Sequence, residues 1–152
     1  MKLSANFNLS ELTKSQTAER RGISNNPSPG QIDNLKELCM NVLQPIRSNF
    51  DKPVIVSSGY RSAELCIAIG SSIDSQHTEG KAADIEVPGV DNKELAEWIR
   101  HNLEYDQLIL EFYKDGEPDS GWVHISYNGN ENRKQNLLAY KDENKKTRYK
   151  PW

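Results

Sequence analysis

From Gln31 to Ser48 apolar side chains recur at Ile32, Leu35, Leu38, Cys39, Val42, Leu43 and Ile46, with polar residues between them. Spacings of three and four lay one stripe along a helix, so the pattern predicts a helix buried on one face. A shorter helix is expected over Ser62–Ile69. Another opens at Asp91, where Asp91-Asn92-Lys93-Glu94 resembles a capping box and Leu95, Trp98, Ile99 and Leu103 turn inward. Near the start, Ser10 followed by Glu11 predicts the cap of a short helix set among Phe7, Leu9 and Leu12. The run Ile23-Ser24-Asn25-Asn26-Pro27-Ser28-Pro29 favours turns and blocks helix, and reads as a loop within one domain.

Four segments carry the shorter, β-branched signature of strands: Pro53–Val56, Ala83–Val87, Gln107–Tyr113 and Trp122–Tyr127. The last two flank the turn-rich residues 114–121 and form a hairpin with a long loop. Asn136–Tyr140 is a candidate for one further strand. Helices and short strands without strict alternation predict an α+β domain over residues 1–140, a small, mostly antiparallel sheet with flanking helices. Residues 141–152 are mostly charged and read as a solvated tail, with Trp152 as a surface contact.

A chain of 152 residues can bury one core without disulfides. Cys39 and Cys66 lie in apolar helical contexts and read as small hydrophobes. With 19 basic against 22 acidic side chains the net charge is −3, which gives nucleic acid no positive field to follow. No apolar run reaches the roughly 18 residues of a membrane span. The segment Met1–Phe7 turns polar too early for a signal peptide, so cytoplasmic synthesis is expected, and a monomer with it.

The chain has three histidines. His101 falls near the end of the Asp91 helix, where an imidazolium meets the negative end of the dipole, and reads as a helix-end residue. His77 stands seven positions before Asp84. Two residues so spaced lie about 10.5 Å apart along a helix and over about 20 Å apart in a strand, so they can share one ion only if the chain turns back, which Gly80 permits. His124 alternates with Val123 and Ile125 and shares a sheet face with Trp122 and Ser126. If that face meets the His77 loop, two imidazoles and a carboxylate converge, a set that leaves a fourth zinc position open as in hydrolytic sites. Strand histidines are more often packed or hydrogen-bonded than ligating, and on the residues alone both readings stand.

The string Ser75-x-His77-x-x-Gly80-x-Ala82-x-Asp84, preceded by Ser57-Ser58-Gly59-Tyr60-Arg61-Ser62 and followed by Trp122-Val123-His124, resembles the zinc D-alanyl-D-alanine carboxypeptidase family. That family includes peptidoglycan endopeptidases, phage endolysins and the vancomycin-resistance dipeptidase. The likeness spans about Phe7 to Tyr127, and the opening Asn6-Phe7-x-Leu9-Ser10-Glu11 looks most like the compact phage and prophage branch. It implies the Hedgehog/DD-peptidase fold, with His77, Asp84 and His124 as ligands of Zn2+, Arg61 as the substrate-holding arginine and Ser75 as a residue lining the site. Arg61 suits that role because a guanidinium grips a carboxylate with two parallel hydrogen bonds and keeps its charge, although a supporting ion pair is the ordinary alternative.

Many family members place an acid or histidine two or three positions before the last zinc histidine. Here Trp122 and Gly121 stand there, so the general base must come from elsewhere. Glu111 is the first candidate: a hairpin register with residue numbers summing to about 235 sets it opposite His124, and a slip of one residue would remove it. Asp119, in the loop, is the second, with Glu117 behind it. Tyr60 and Trp122 flank the motifs and are candidates for cleft walls. The resemblance implies hydrolysis of peptidoglycan stem peptides, by carboxypeptidase or endopeptidase action, at the cell wall after phage-type release. The alternatives are a zinc-containing module that binds wall or serves a virion without catalysis, and a metal-free structural protein.

Overall fold

In the computed structural model, which describes residues 1–152, a six-stranded sheet carries helices on one face and leaves the other face for a cleft. The chain opens with a small antiparallel pair, β1 (Lys2–Ser4) and β2 (Phe7–Asn8), followed by α1 (Leu9–Thr13) and α2 (Gln16–Arg21). The cap of α1 is Asn8, not Ser10, and Glu11 closes the turn by accepting from the Asn8 amide at 2.7 Å. The short α2 carries no apolar stripe in the sequence; Ser15 caps it by accepting from the Ala18 amide.

The long helix runs from Pro29 to Phe50 as α3 (Pro29–Leu38), a π-helical turn over Cys39–Leu43, and α4 (Gln44–Phe50). Pro45 explains the interruption. It has no N–H to give the carbonyl four residues back, and the wider turn before it absorbs the missing bond. Both free cysteines are buried, and burial pushes the Cys39 thiol up to about 12.

The main sheet comprises β3 (Ile55–Ser58), β4 (Ala82–Glu86), β5 (Gln107–Glu111), β6 (Trp122–Ser126), β7 (Gln135–Lys141) and β8 (Thr147–Pro151), in the order β3-β4-β6-β5-β7-β8. Helix α5 (Ala63–Ala68) follows β3, and α6 (Asn92–Asn102) joins β4 to β5, with His101 in its last turn. Alternation assigns the two faces. Val56, Ala83, Ile85, Leu108, Leu110, Val123 and Ile125 point into one core with Leu38, Val42 and Ile46 of the long helix and Leu95 and Ile99 of α6. The intervening residues Asp84, His124, Ile109, Glu111 and Trp122 all line the cleft.

Two expectations are corrected. The sheet is larger than expected and mixed, because β7 lies parallel to β5. Both sides of β6 are already taken, by β4 and β5, so the chain leaving β6 passes to an outer edge of the sheet and joins beyond β5. Residues 141–152 are solvent-exposed as expected but are not a loose tail. They turn at Asp142, whose carboxylate accepts from the amides of Asn144 and Lys146 and from Arg148 Nε, and return as β8 paired along β7. Trp152 packs on the core with the Arg100 guanidinium over its ring. No helix is long and apolar enough to cross a membrane.

Candidate active site

A tight turn delivers His77. It lies in a 3-10 turn over Gln76–Glu79, capped by Ser75, whose hydroxyl accepts from the His77 amide at 3.2 Å. Gly80 ends the turn at φ 75°, and a side chain there would meet the Gln31 carbonyl at 2.6 Å. The chain thus doubles back within the seven residues that separate His77 from Asp84. The His77 ring is buried, and its Nδ1 lies 2.7 Å from the Gly59 carbonyl oxygen. A carbonyl only accepts, so Nδ1 carries the proton and Nε2 presents a lone pair, 3.6 Å from Asp84 Oδ1.

Asp84 and His124 face each other across β4 and β6, with His124 Nδ1 3.0 Å from the same Oδ1. The two imidazole rings stand 5.2 Å apart, and one donor atom from each of the three residues lies within 4.8 Å of the others. Burial would push the Asp84 carboxyl up, but the His124 and His77 imidazoles outweigh it and hold the group well below the usual carboxylate range. Burial pushes His77 down, which favours the neutral ring. A buried neutral nitrogen and an ionised carboxylate then turn lone pairs toward each other, an arrangement that a cation between them relieves. Tetrahedral bonds of about 2.0–2.1 Å put neighbouring donors about 3.4 Å apart, and the observed 3.0 and 3.6 Å bracket that edge. The donor set and its spacing fit zinc.

Around this triad opens a cleft of about 550 Å³ whose lining includes Arg61, Ser75, Glu111 and Trp122. Arg61 donates from Nε to Ser58 Oγ at 2.9 Å and from its terminal nitrogens to Ser71 Oγ at 3.2 Å and Asp84 Oδ2 at 3.5 Å. Of five N–H groups, one on each terminal nitrogen stays free for a ligand. Glu111 accepts from Trp122 Nε1 at 2.8 Å. Burial, then the charge of Asp84, pushes its carboxyl above the ordinary glutamate value.

The hairpin register differs from the expected one. Ile109 stands opposite His124 and Glu111 opposite Trp122, a shift of two residues. An even shift keeps every side chain on its face, so Glu111 stays in the cleft, one step diagonal to His124. The strand ends at Glu111 because Phe112 takes φ 56°, and Gly121 beside it takes φ 64° where a Cβ would lie 1.8 Å from the Glu111 carbonyl oxygen.

Three other candidates are not in the cleft. Asn92 anchors the loop by donating to the Ser120 and Gly121 carbonyls and binding the Pro118 carbonyl through its amide, and Asp119 lines a separate pocket beside Ile55 and Glu86. Glu117 closes a turn with Lys114 in the same loop. Tyr60 is buried in the core and borders a different pocket, beyond Arg61. The sequence reading also missed Arg133 and Tyr149, both on the cleft wall. Tyr149 lies in the charged C-terminal stretch, which has no strand pattern, and nothing in the local sequence marks Arg133.

A family model described as Peptidase M15 matches residues 5–126. The chain belongs to the Peptidase M15 family. No curated protein matches it. M15 peptidases are zinc-dependent, and the match covers all three residues that could hold the metal, together with Arg61 and Glu111. Residues 127–152, with Arg133 and Tyr149, lie beyond it. When bound in such a site, zinc supplies Lewis-acid polarisation of a carbonyl and a lowered pKa for water. The chain's own groups supply the rest: Gly59 fixes the His77 tautomer, Asp84 offers charge, Arg61 offers two N–H donors to an anion, and Glu111 offers a carboxylate able to take a proton.

Proposed function

We propose that this M15 peptidase hydrolyses peptide bonds in peptidoglycan stem peptides, with His77, Asp84 and His124 holding the zinc, Arg61 gripping a substrate carboxylate and Glu111 acting as general base. The observation that carries the reading is the shared cleft: the triad, Arg61 and the partly buried Glu111 line a single cavity. A base must exchange its proton near the working pH, and a carboxyl raised by burial does so more readily than an exposed one. Ser75 positions His77 and borders the substrate, and Trp122 orients Glu111. Action on wall by an endolysin-type enzyme fits this chemistry. The alternative, a non-catalytic wall-binding or virion module, draws its support from the lack of an acid just before His124; Glu111 in the cleft favours the catalytic reading.

The test is digestion of purified peptidoglycan by the zinc-loaded protein, with mass spectrometry of the fragments to tell terminal from internal cleavage. Glu111→Gln is expected to lower turnover about 10²- to 10⁴-fold with zinc stoichiometry intact. Turnover within a few-fold of the wild type would remove Glu111 as the base.

A further inference from the structure

The wall of the cleft farthest from Arg61 is built by a part of the chain outside the family match. Glu111, Ala139 and Tyr149 are register partners across β5, β7 and β8, so all three side chains stand on the cleft face. The methyl group of Ala139 is too small to separate its neighbours, and Tyr149 reaches the cleft over it. Arg133, just before β7, lines the same cavity near the start of β5. Its Nε and one terminal nitrogen donate to both oxygens of Asp106 at 3.0 and 2.9 Å, and its own amide donates to Asp106 at 3.0 Å. Asp106 is buried and accepts also from Gln76 Nε2 at 2.8 Å, so the guanidinium is held in one orientation from beneath. Three of its N–H groups remain free, and the side chain is 57% exposed.

Residues 133–152 carry seven basic and two acidic side chains, in a chain that is acidic as a whole. The hairpin therefore sets a local positive field beside the cleft, and within a Debye length of about 8 Å that field favours anions. Arg61 borders the β4 side of the triad and Arg133 the β5 side, each with a fork free for a planar acceptor.

We infer that Arg133 forms a second carboxylate-binding subsite, so that the cleft selects peptides with a carboxylate on each side of the scissile bond. The inference rests on the peptidase reading above and narrows its substrate. Arg133 acts here as a specificity residue, and Asp106 and Gln76 as positioning residues for it.

Four synthetic pentapeptide stems test it, with the glutamyl carboxylate and the terminal carboxylate each free or amidated. Arg133→Gln is expected to raise KM about tenfold to a hundredfold for peptides keeping one of the two carboxylates, collapsing the wild-type preference for that group to about one. Arg61→Gln is expected to do the same for the other carboxylate, and Arg133→Lys, which keeps charge without the fork, to fall between. An Arg133→Gln protein that loses the same factor on all four peptides, or keeps every preference, overturns the subsite. Calorimetric titration of the four peptides into protein stripped of metal repeats the comparison without turnover. A chain that cleaves none of them refutes the stem-peptide reading, while the affinities still decide the subsite: a free-over-amide preference lost in Arg133→Gln supports it, and equal or undetectable binding overturns it.

Discussion

Replacing Asp106 by asparagine probes the support beneath the cleft. The carboxylate is buried and takes four hydrogen bonds, three from Arg133 and one from Gln76, and the Arg133 side chain above all holds its pKa down to about 2 against an ordinary 3.8. At 1.36 kcal/mol per pKa unit that shift corresponds to about 2 kcal/mol of stability. Asparagine keeps one acceptor oxygen and turns an NH2 toward donors. The Arg133 groups can recover water at the surface, but Gln76 loses its partner, which adds about 1 kcal/mol. A total of about 2–4 kcal/mol lowers the melting temperature of a chain this size by about 5–15 °C.

The sign of the pH dependence follows from linkage. Because the folded pKa lies below the unfolded one, the unfolded chain binds more protons between them, and the contribution is whole above about pH 4 and fades as pH falls through 2. Urea unfolding of wild type and Asp106→Asn at pH 6 and pH 3 measures it, the gap narrowing by about 1 kcal/mol at the lower pH. A gap under about 1 kcal/mol at pH 6, or one that stays constant to pH 3, would refute the account of Asp106 as an ionised anchor.

Two further outcomes follow from the site. Zinc at a thousandfold excess over its Kd is expected to stabilise the fold by about 4 kcal/mol, seen as a rise in melting temperature that chelation reverses and that His77→Ala abolishes; equal melting curves with and without zinc would count against the triad as a metal site. Gly121→Ala forces a Cβ into the Glu111 carbonyl at a positive φ and is expected to cost about 2 kcal/mol or more in chemical unfolding and to displace Glu111, so a variant as stable and active as wild type would contradict the tight turn.

What the sequence disclosed was what side-chain period can carry. The stripe from Ile32 to Ile46 placed the long helix, and alternation through Val123, His124 and Ile125 put His124 on the face away from the core, where it meets Asp84. Period says nothing about partners across a sheet. The strand β8 carries no strand signal, because Thr147–Pro151 is exposed throughout and has no apolar alternation; its order comes from pairing with β7 and the Asp142 turn. Asp119 is near His124 in sequence, but Asn92, at the start of a distant helix, holds its loop elsewhere.

The register shift shows why the missing detail bears on the chemistry. Opposite His124, a glutamate would have its Cβ about 5 Å from that of a ligand, close enough for its carboxylate to compete for the ion. Ile109 holds that position and offers no donor atom. Glu111 sits one pair farther along, where diagonal Cβ atoms are about 7–8 Å apart, and Trp122 turns its carboxylate by hydrogen bond. That separation is wide enough for a water between the carboxylate and the triad, as a proton acceptor needs and a fourth ligand does not. Phe112 and Gly121, both at positive φ, end the two strands there, so a turn that sequence period cannot reveal fixes where Glu111 stands relative to the triad.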